Sequence, residues 1–259
     1  MFSPTAIFTL IERVVDLRLF TKSDLVFHNE LWHCLEVHSQ FSNPNSEQLL
    51  AVLNEELKKV NEFLKNTSHV FITFGTAWVY KHIDKNIRVA NCHKIPQKEF
   101  QKQLLSVEEV AHFSMLINQK LKALNSNISV VFTVSPVRHI KDGFVENNRS
   151  KAHLIAGIQQ ANSSYFPSYE IMMDELRDYR FYSSDMLHPT AVAVDYIWQK
   201  LSESFIDEAT QKNMQLVVEI QNGLAHKPFH PEGDAYQRFL EKLEQKIATL
   251  ANQNPPIIF

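Results

Sequence analysis

Asp185 and His188 stand three residues apart in Asp185-Met-Leu-His-Pro189. That spacing lets a carboxylate fold back on an imidazole, fix its tautomer and stabilise its cationic form. The ring then serves as a general base toward a hydroxyl nucleophile. Two other readings compete. Asp near a helix start is most often a cap. A metal-binding pair would need a third ligand that the sequence does not clearly offer, and it ranks below both. Three more segments hold side chains able to act on a substrate: Gly75-Thr76-Ala77-Trp78, Asn91-Cys92-His93-Lys94 and Ser135-Pro136-Val137-Arg138-His139. Ser135 is placed like the exposed serine of a strand-to-helix elbow. Pro136 and the lack of flanking glycines point instead to a structural or substrate-binding serine. Cys92 beside His93 suggests a thiol nucleophile, but adjacent strand residues face opposite ways, which favours a free buried cysteine. Arg138, His139, Lys141, Arg149 and Lys151 put positive charge around one loop. This suits recognition of a carboxylate or phosphate, and equally a solvated loop with local ion pairs.

These residues need a scaffold. Ser3-Pro4 is a helix start, and apolar residues follow it at helical spacing through Leu17. Residues 25–28 and 31–34 read as short strands around an Asn29-Glu30 turn. Leu49, Leu53, Leu57, Val60 and Leu64 define an amphipathic helix from Ser46 to about Asn66. His69 to Phe74 reads as a strand buried on both faces, as does 128–134. Residues 87–90 form a further strand and 96–105 a short helix. Ser106 with Glu109 makes a capping box for the next helix. Residues 149–163 read as helical and 165–172 as extended, and His188-Pro189-Thr190 opens another helix. A last amphipathic helix runs through Phe239, Leu243, Ile247 and Leu250. Strands alternating with helices predict an α/β domain with a mostly parallel sheet covered by helices. The expected boundaries are 1–206 for this domain and 207–259 for a helical extension packed on it. Ligands of open parallel sheets bind beyond the carboxyl ends of the strands, which is where the four segments above fall.

Composition narrows the function. Among 259 residues, 26 Lys and Arg face 29 Asp and Glu, a net charge of −3. No basic field exists for a nucleic-acid backbone or an anionic membrane, so neither is an expected partner. No apolar run is long enough to span a bilayer. The five glycines are dispersed, which removes phosphate-cradling and dinucleotide fingerprints. Cys34 and Cys92 read as reduced thiols of a cytoplasmic protein.

Taken in order, Thr73-Phe-Gly-Thr-Ala-Trp-Val-Tyr80, Val89-Ala-Asn-Cys-His-Lys94, Thr133-Val-Ser-Pro-Val-Arg-His139, Asn148-Arg-Ser-Lys151, Tyr165-Phe-Pro-Ser-Tyr-Glu170 and Asp185-Met-Leu-His-Pro189 resemble the GSCFA family, a bacterial branch of the SGNH (GDSL-like) hydrolases. The resemblance implies a three-layer α/β/α, flavodoxin-like fold. It also implies hydrolysis or transfer of an ester-linked acyl group, often on carbohydrate, without cofactor or metal. Asp185 and His188 match the acid and base. Gly75-Thr76 matches the start of a G-x-N-D element, but Ala77 and Trp78 stand where its Asn and Asp would be. Asn91 is then the nearest amide donor for an oxyanion, with the Gly75 backbone. Thr76, His93, Ser135, Arg138 and His139 complete the expected substrate site. The family's Gly-Ser-Cys-Phe-Ala motif, whose Ser is the nucleophile, is absent from this chain. The first strand is therefore expected to be missing, and Met1 to be an internal or misassigned start. As given, the chain is expected to be nearly inactive. The alternative is a non-catalytic carbohydrate-binding or interaction module that keeps the fold.

Overall fold

A computed structural model describes residues 2–253. The chain forms two compact units, Met1–Val194 and Asp195–Phe259. In the first, α1 (Pro4–Val15) starts where Ser3 accepts the Ala6 amide, with Pro4 in the first turn. Strands β1 (Leu25–His28) and β2 (Leu31–Cys34) pair antiparallel with Leu25 opposite Cys34. Their two-residue turn puts Asn29 and Glu30 at φ 47° and 61°, the left-handed pair that the strand twist demands. Helix α2 (Ser46–Lys65) is capped by Asn45 and buries Leu49, Leu53, Leu57 and Leu64. After β3 (His69–Phe74), β4 (Trp78–His82), β5 (Ile87–Val89) and β6 (Phe100–Leu104) comes α3 (Val107–Leu124), entered through the Ser106–Glu109 capping box. Then come β7 (Ser129–Val134), α4 (Phe144–Gln160), β8 (Ser164–Phe166) and the short α5 (Ser168–Glu170), which runs on as a wider turn over Ile171–Glu175. The unit boundary falls inside α6 (Ala191–Phe205).

The parallel sheet has the order β3-β7-β8. His69 pairs with Ser129 and Phe74 with Val134, so β3 and β7 end level with each other. Central β7 is buried from Val130 to Val134. Strand β3 is at the sheet's edge and alternates, with Phe71 44% exposed, which corrects the expectation that it is covered on both faces. The sheet is α/β in kind but smaller than expected. Among the described residues the other five strands are antiparallel, in the β1–β2 hairpin and in a second sheet ordered β5-β4-β6. Residues 96–105 are the clearest misreading. Only Gln97–Glu99 turn, and Phe100–Leu104 extend because they pair with β4 from Trp78 to His82. Phe100 and Leu104 are four apart, a spacing a helix would share, and tertiary pairing decides between the two.

Other boundaries move for identifiable reasons. Gly143, at φ 110°, starts α4 five residues before the expected 149. The extended stretch at 165 ends at Phe166, and Ser168 onward is helical. His188-Pro189-Thr190 leads directly into α6 as expected, with Thr190 O accepting the Val194 amide at 3.0 Å, while the Thr190 amide donates to Phe181 O at 2.9 Å and Pro189 bridges to Tyr182. Deep in this unit Arg13 is 1% exposed. It sends Nε and Nη2 to the two Glu36 oxygens, both at 2.8 Å, and Nη2 also reaches Asp24 at 3.1 Å.

The second unit contains α7 (Glu208–Ala225), capped by Asp207, and α8 (Asp234–Gln253). Ile220, Leu243 and Leu250 form its buried apolar cluster. It holds no strand among the described residues. No helix of the described chain is long and apolar enough to cross a membrane.

Candidate functional site

Asp185 and His188 meet. Asp185 Oδ2 lies 2.6 Å from His188 Nδ1, and Oδ1 accepts the amides of Leu187 at 2.8 Å and His188 at 3.0 Å. The loop that shapes this turn is held by Ser183 N to His188 O and Met186 N to Ser183 O, with Met186 at φ 60°. The backbone amides of His188 and Leu187, then the His188 ring, hold the Asp185 carboxyl down to about 2. It is therefore an anion throughout the neutral range, able to orient the ring. Nδ1 is committed to Asp185. The ring's Nε2 has no hydrogen-bond partner among the described residues, and the side chain is 59% exposed. The helix-cap reading of Asp185 is half right: it ties down two local amides, but α6 begins later.

Two loops beyond the level ends of β3 and β7 are welded together from below. Lys151, on α4, is 1% exposed and donates to Gly75 O at 2.8 Å and Ser135 O at 2.7 Å. Burial, with no carboxylate opposite, pulls its amine down to about 7. Its neighbour Ser150 takes the Ala77 amide at 2.8 Å and meets the Thr76 hydroxyl at 3.1 Å. Thr76 Oγ1 also accepts the Trp78 amide. Ser135 Oγ accepts the Val137 amide, a local turn that gives it a structural job. Arg138 lies over the Tyr182 ring at 4.9 Å and donates to Met186 O, which links the β7 loop to the Asp185–His188 loop. His139 is fixed through its amide to Asn147 Oδ1. Burial, then Lys151 and His188, lower its pKa against the opposing pull of Asp142, so it is a neutral ring at pH 7.

Three expectations need correcting. The Gly75 amide is not open to an oxyanion: Gly75 N and Thr76 N donate to Phe2 O at 2.7 and 3.2 Å. Gly75 is required for that approach, since a Cβ there would sit 2.8 Å from Phe2 Cβ. Asn91 and His93 do not follow a strand of the parallel sheet. They follow β5 and lie against the β1–β2 hairpin, where His93 Nε2 meets Cys34 O at 2.8 Å and Asn91 Oδ1 takes the His93 amide. The positive charges do not converge either: Arg138 is tied to a carbonyl, Lys151 is buried, and Lys141 and Arg149 are exposed. Cys92 is half-buried, and burial raises its thiol pKa against the pull of Lys141, which makes it a poor nucleophile.

The sequence model of the GSCFA family matches residues 1–201, and that of the GSCFA domain protein, C-terminal domain, matches 217–259. The chain belongs to the GSCFA family. No curated protein and no solved structure matches it. In this GSCFA chain Lys151 is the site component that sequence reasoning misplaced, as a surface charge. Its signal was present: Asn147, Ser150, Lys151, Leu154 and Ile158 recur at helical spacing, and all are buried on one face of α4.

Proposed function

We propose that Asp185 and His188 are the acid–base pair of an SGNH-type hydrolase acting on ester bonds, an esterase or O-acyltransferase whose substrate is a small-molecule or carbohydrate ester. On this reading the three-stranded parallel sheet belongs to a three-layer α/β/α, flavodoxin-like fold. The observation that carries the proposal is the 2.6 Å contact between Asp185 Oδ2 and His188 Nδ1, with Nε2 left outward. Asp185 fixes the tautomer and stabilises the imidazolium, and Nε2 removes the proton from an attacking hydroxyl. Among the described residues no Ser, Thr or Cys is hydrogen-bonded to Nε2, and on this reading the nucleophilic hydroxyl comes from outside them. Without that nucleophile, turnover is expected to lie several powers of ten below that of an intact triad.

Hydrolysis of 4-nitrophenyl acetate and of an O-acetylated xylo-oligosaccharide tests this. Slow turnover above buffer is expected, falling to the buffer rate in His188→Ala and sharply in Asp185→Asn. Turnover that is identical in His188→Ala would refute it. The second reading is a non-catalytic carbohydrate-binding or interaction module. It is favoured by the capture of the Gly75 and Thr76 amides by Phe2 O, which leaves no open pair of donors there for an oxyanion. Saturable binding of the deacetylated oligosaccharide, with no turnover of either ester, would support it.

A further inference from the structure

A cavity of about 560 Å³ lies between the β1–β2 hairpin and the turn after β5, and neither Asp185 nor His188 lines it. Its volume is within the range that takes small metabolites, roughly 300–1,000 Å³. Its polar wall is made by Asn29, His33, Ser42, Asn91, His93 and Lys94, with Leu31 as an apolar side. Lys94 is the one ammonium among the lining residues, and no carboxylate stands there or pairs with it among the described residues.

The backbone that presents Lys94 is costly. Ile95 N donates to Cys92 O at 2.9 Å, which closes a four-residue turn, and the two central residues sit at φ 48° (His93) and 61° (Lys94). Turns of this hand are normally built from Asn and Gly, because a longer side chain crowds its own carbonyl. His93, like the Asn29 of the hairpin turn opposite, is among the residues that enter this region most readily, and Lys94, at φ 61°, is the one that does not. Strain of this kind persists where a side chain must be aimed.

The imidazoles complete the wall. His33 and His93 are both buried, and their rings lie 4.9 Å apart. His33 is spent on both nitrogens, with His28 O at 3.0 Å and Ser42 Oγ at 2.6 Å. His93 is spent on one. Its Nε2–H donates to Cys34 O, and Nδ1, buried near the Val37 backbone, makes no hydrogen bond of good geometry. Buried polar atoms without partners are rare and mark a missing group. The carboxamide nitrogens of Asn29 and Asn91 make no hydrogen bond among the described residues, and Asn91 is held in place by the bond from its Oδ1 to the His93 amide. The unspent inventory is therefore one ammonium and two amide donors, suited to an oxyanion, plus one buried ring nitrogen, suited to a hydroxyl, which both donates and accepts.

We propose that this cavity is a binding site for a small hydroxylated oxyanion, a sugar carboxylate or a sugar phosphate, whose anionic group is held by Lys94 with Asn29 and Asn91 and whose hydroxyl satisfies His93 Nδ1. The site is independent of the acid–base pair at Asp185 and His188.

Calorimetric titration of the full chain with glucuronate, glucose 6-phosphate and glucose at low ionic strength tests the proposal. Saturable binding of at least one of the two acids is expected, with glucose far weaker. Which acid binds separates a carboxylate from a phosphate ligand. Lys94→Asn removes the ammonium yet suits the left-handed turn, so thermal unfolding at or above the wild-type temperature is expected, with binding weakened about tenfold or more. His188→Ala is expected to bind the acid as the wild type does, so this result stands or falls apart from the ester assay. No binding of either acid, glucose binding as tightly as the acids, or unchanged affinity in a folded Lys94→Asn would each overturn the proposal.

Discussion

Raising the pH from 7 toward 9.5 should stabilise this protein through one buried amine, that of Lys151. The side chain is 1% exposed, donates to two neutral carbonyls, Gly75 O and Ser135 O, lies 5.4 Å from the centre of the Tyr169 ring and has no carboxylate paired with it among the described residues. Burial holds its pKa at about 7, against 10.5 for a free lysine. Below the folded value both states carry the proton, and the native state bears the full cost of a buried ammonium. Between the two values the unfolded chain binds a proton that the folded chain does not, so stability climbs with pH. Each pH unit is worth about 1.4 kcal/mol, and the whole interval about 5 kcal/mol at most. Up to pH 9.5 about 3 kcal/mol of that should be realised. Burial raises the Cys34 thiol to about 12, and burial with Glu170 raises the Tyr165 phenol, so ionising these groups in the unfolded chain opposes the rise in each separate curve toward pH 9.5. The assay is urea unfolding at intervals from pH 6 to 9.5 for the wild type and Lys151→Met. Subtracting the two curves cancels the groups they share. The methionine variant keeps the volume, strands two carbonyls and has nothing to titrate. The wild-type advantage should therefore grow steadily above pH 7. A difference that stays flat from pH 7 to 9.5 would mean that the folded amine titrates like a free one, and the buried clamp would be wrong.

Three other substitutions probe the scaffold. Gly157→Ala should lower stability by about 1–2 kcal/mol despite alanine's helix preference, because its Cβ would lie 2.5 Å from Val110 Cβ and 2.8 Å from Val107 O, which thermal unfolding will show. Arg13→Met should cost about 3–5 kcal/mol in urea unfolding, since it leaves Glu36 and Asp24 without the guanidinium that neutralises them. Gly75→Ala should destabilise by about 1–3 kcal/mol and expose the first residues to protease, because the new methyl meets Phe2 Cβ at 2.8 Å and His139 Nε2 at 3.3 Å.

Local rules were enough for much of this molecule. Ser3-Pro4, Asn45 and the Ser106–Glu109 box start helices where capping chemistry puts them. The Asn29-Glu30 turn, the apolar run of β7 and the three-residue reach from Asp185 to His188 needed nothing beyond neighbouring side chains. Each is an interaction between residues close in sequence, so the pattern and the structure are nearly the same fact. What only the tertiary structure decided depends on partners far along the chain. Phe100–Leu104 is a strand because β4 lies beside it, and β3 is half-exposed because it falls at the edge of its sheet. Asn91 and His93 turn away from the parallel sheet because β5 pairs in a different one. Phe2 reaches across more than seventy residues to take the Gly75 amide, and Lys151 joins two strand ends from a helix. No spacing rule encodes these contacts, because their energy is set by which surfaces are brought together when the core closes.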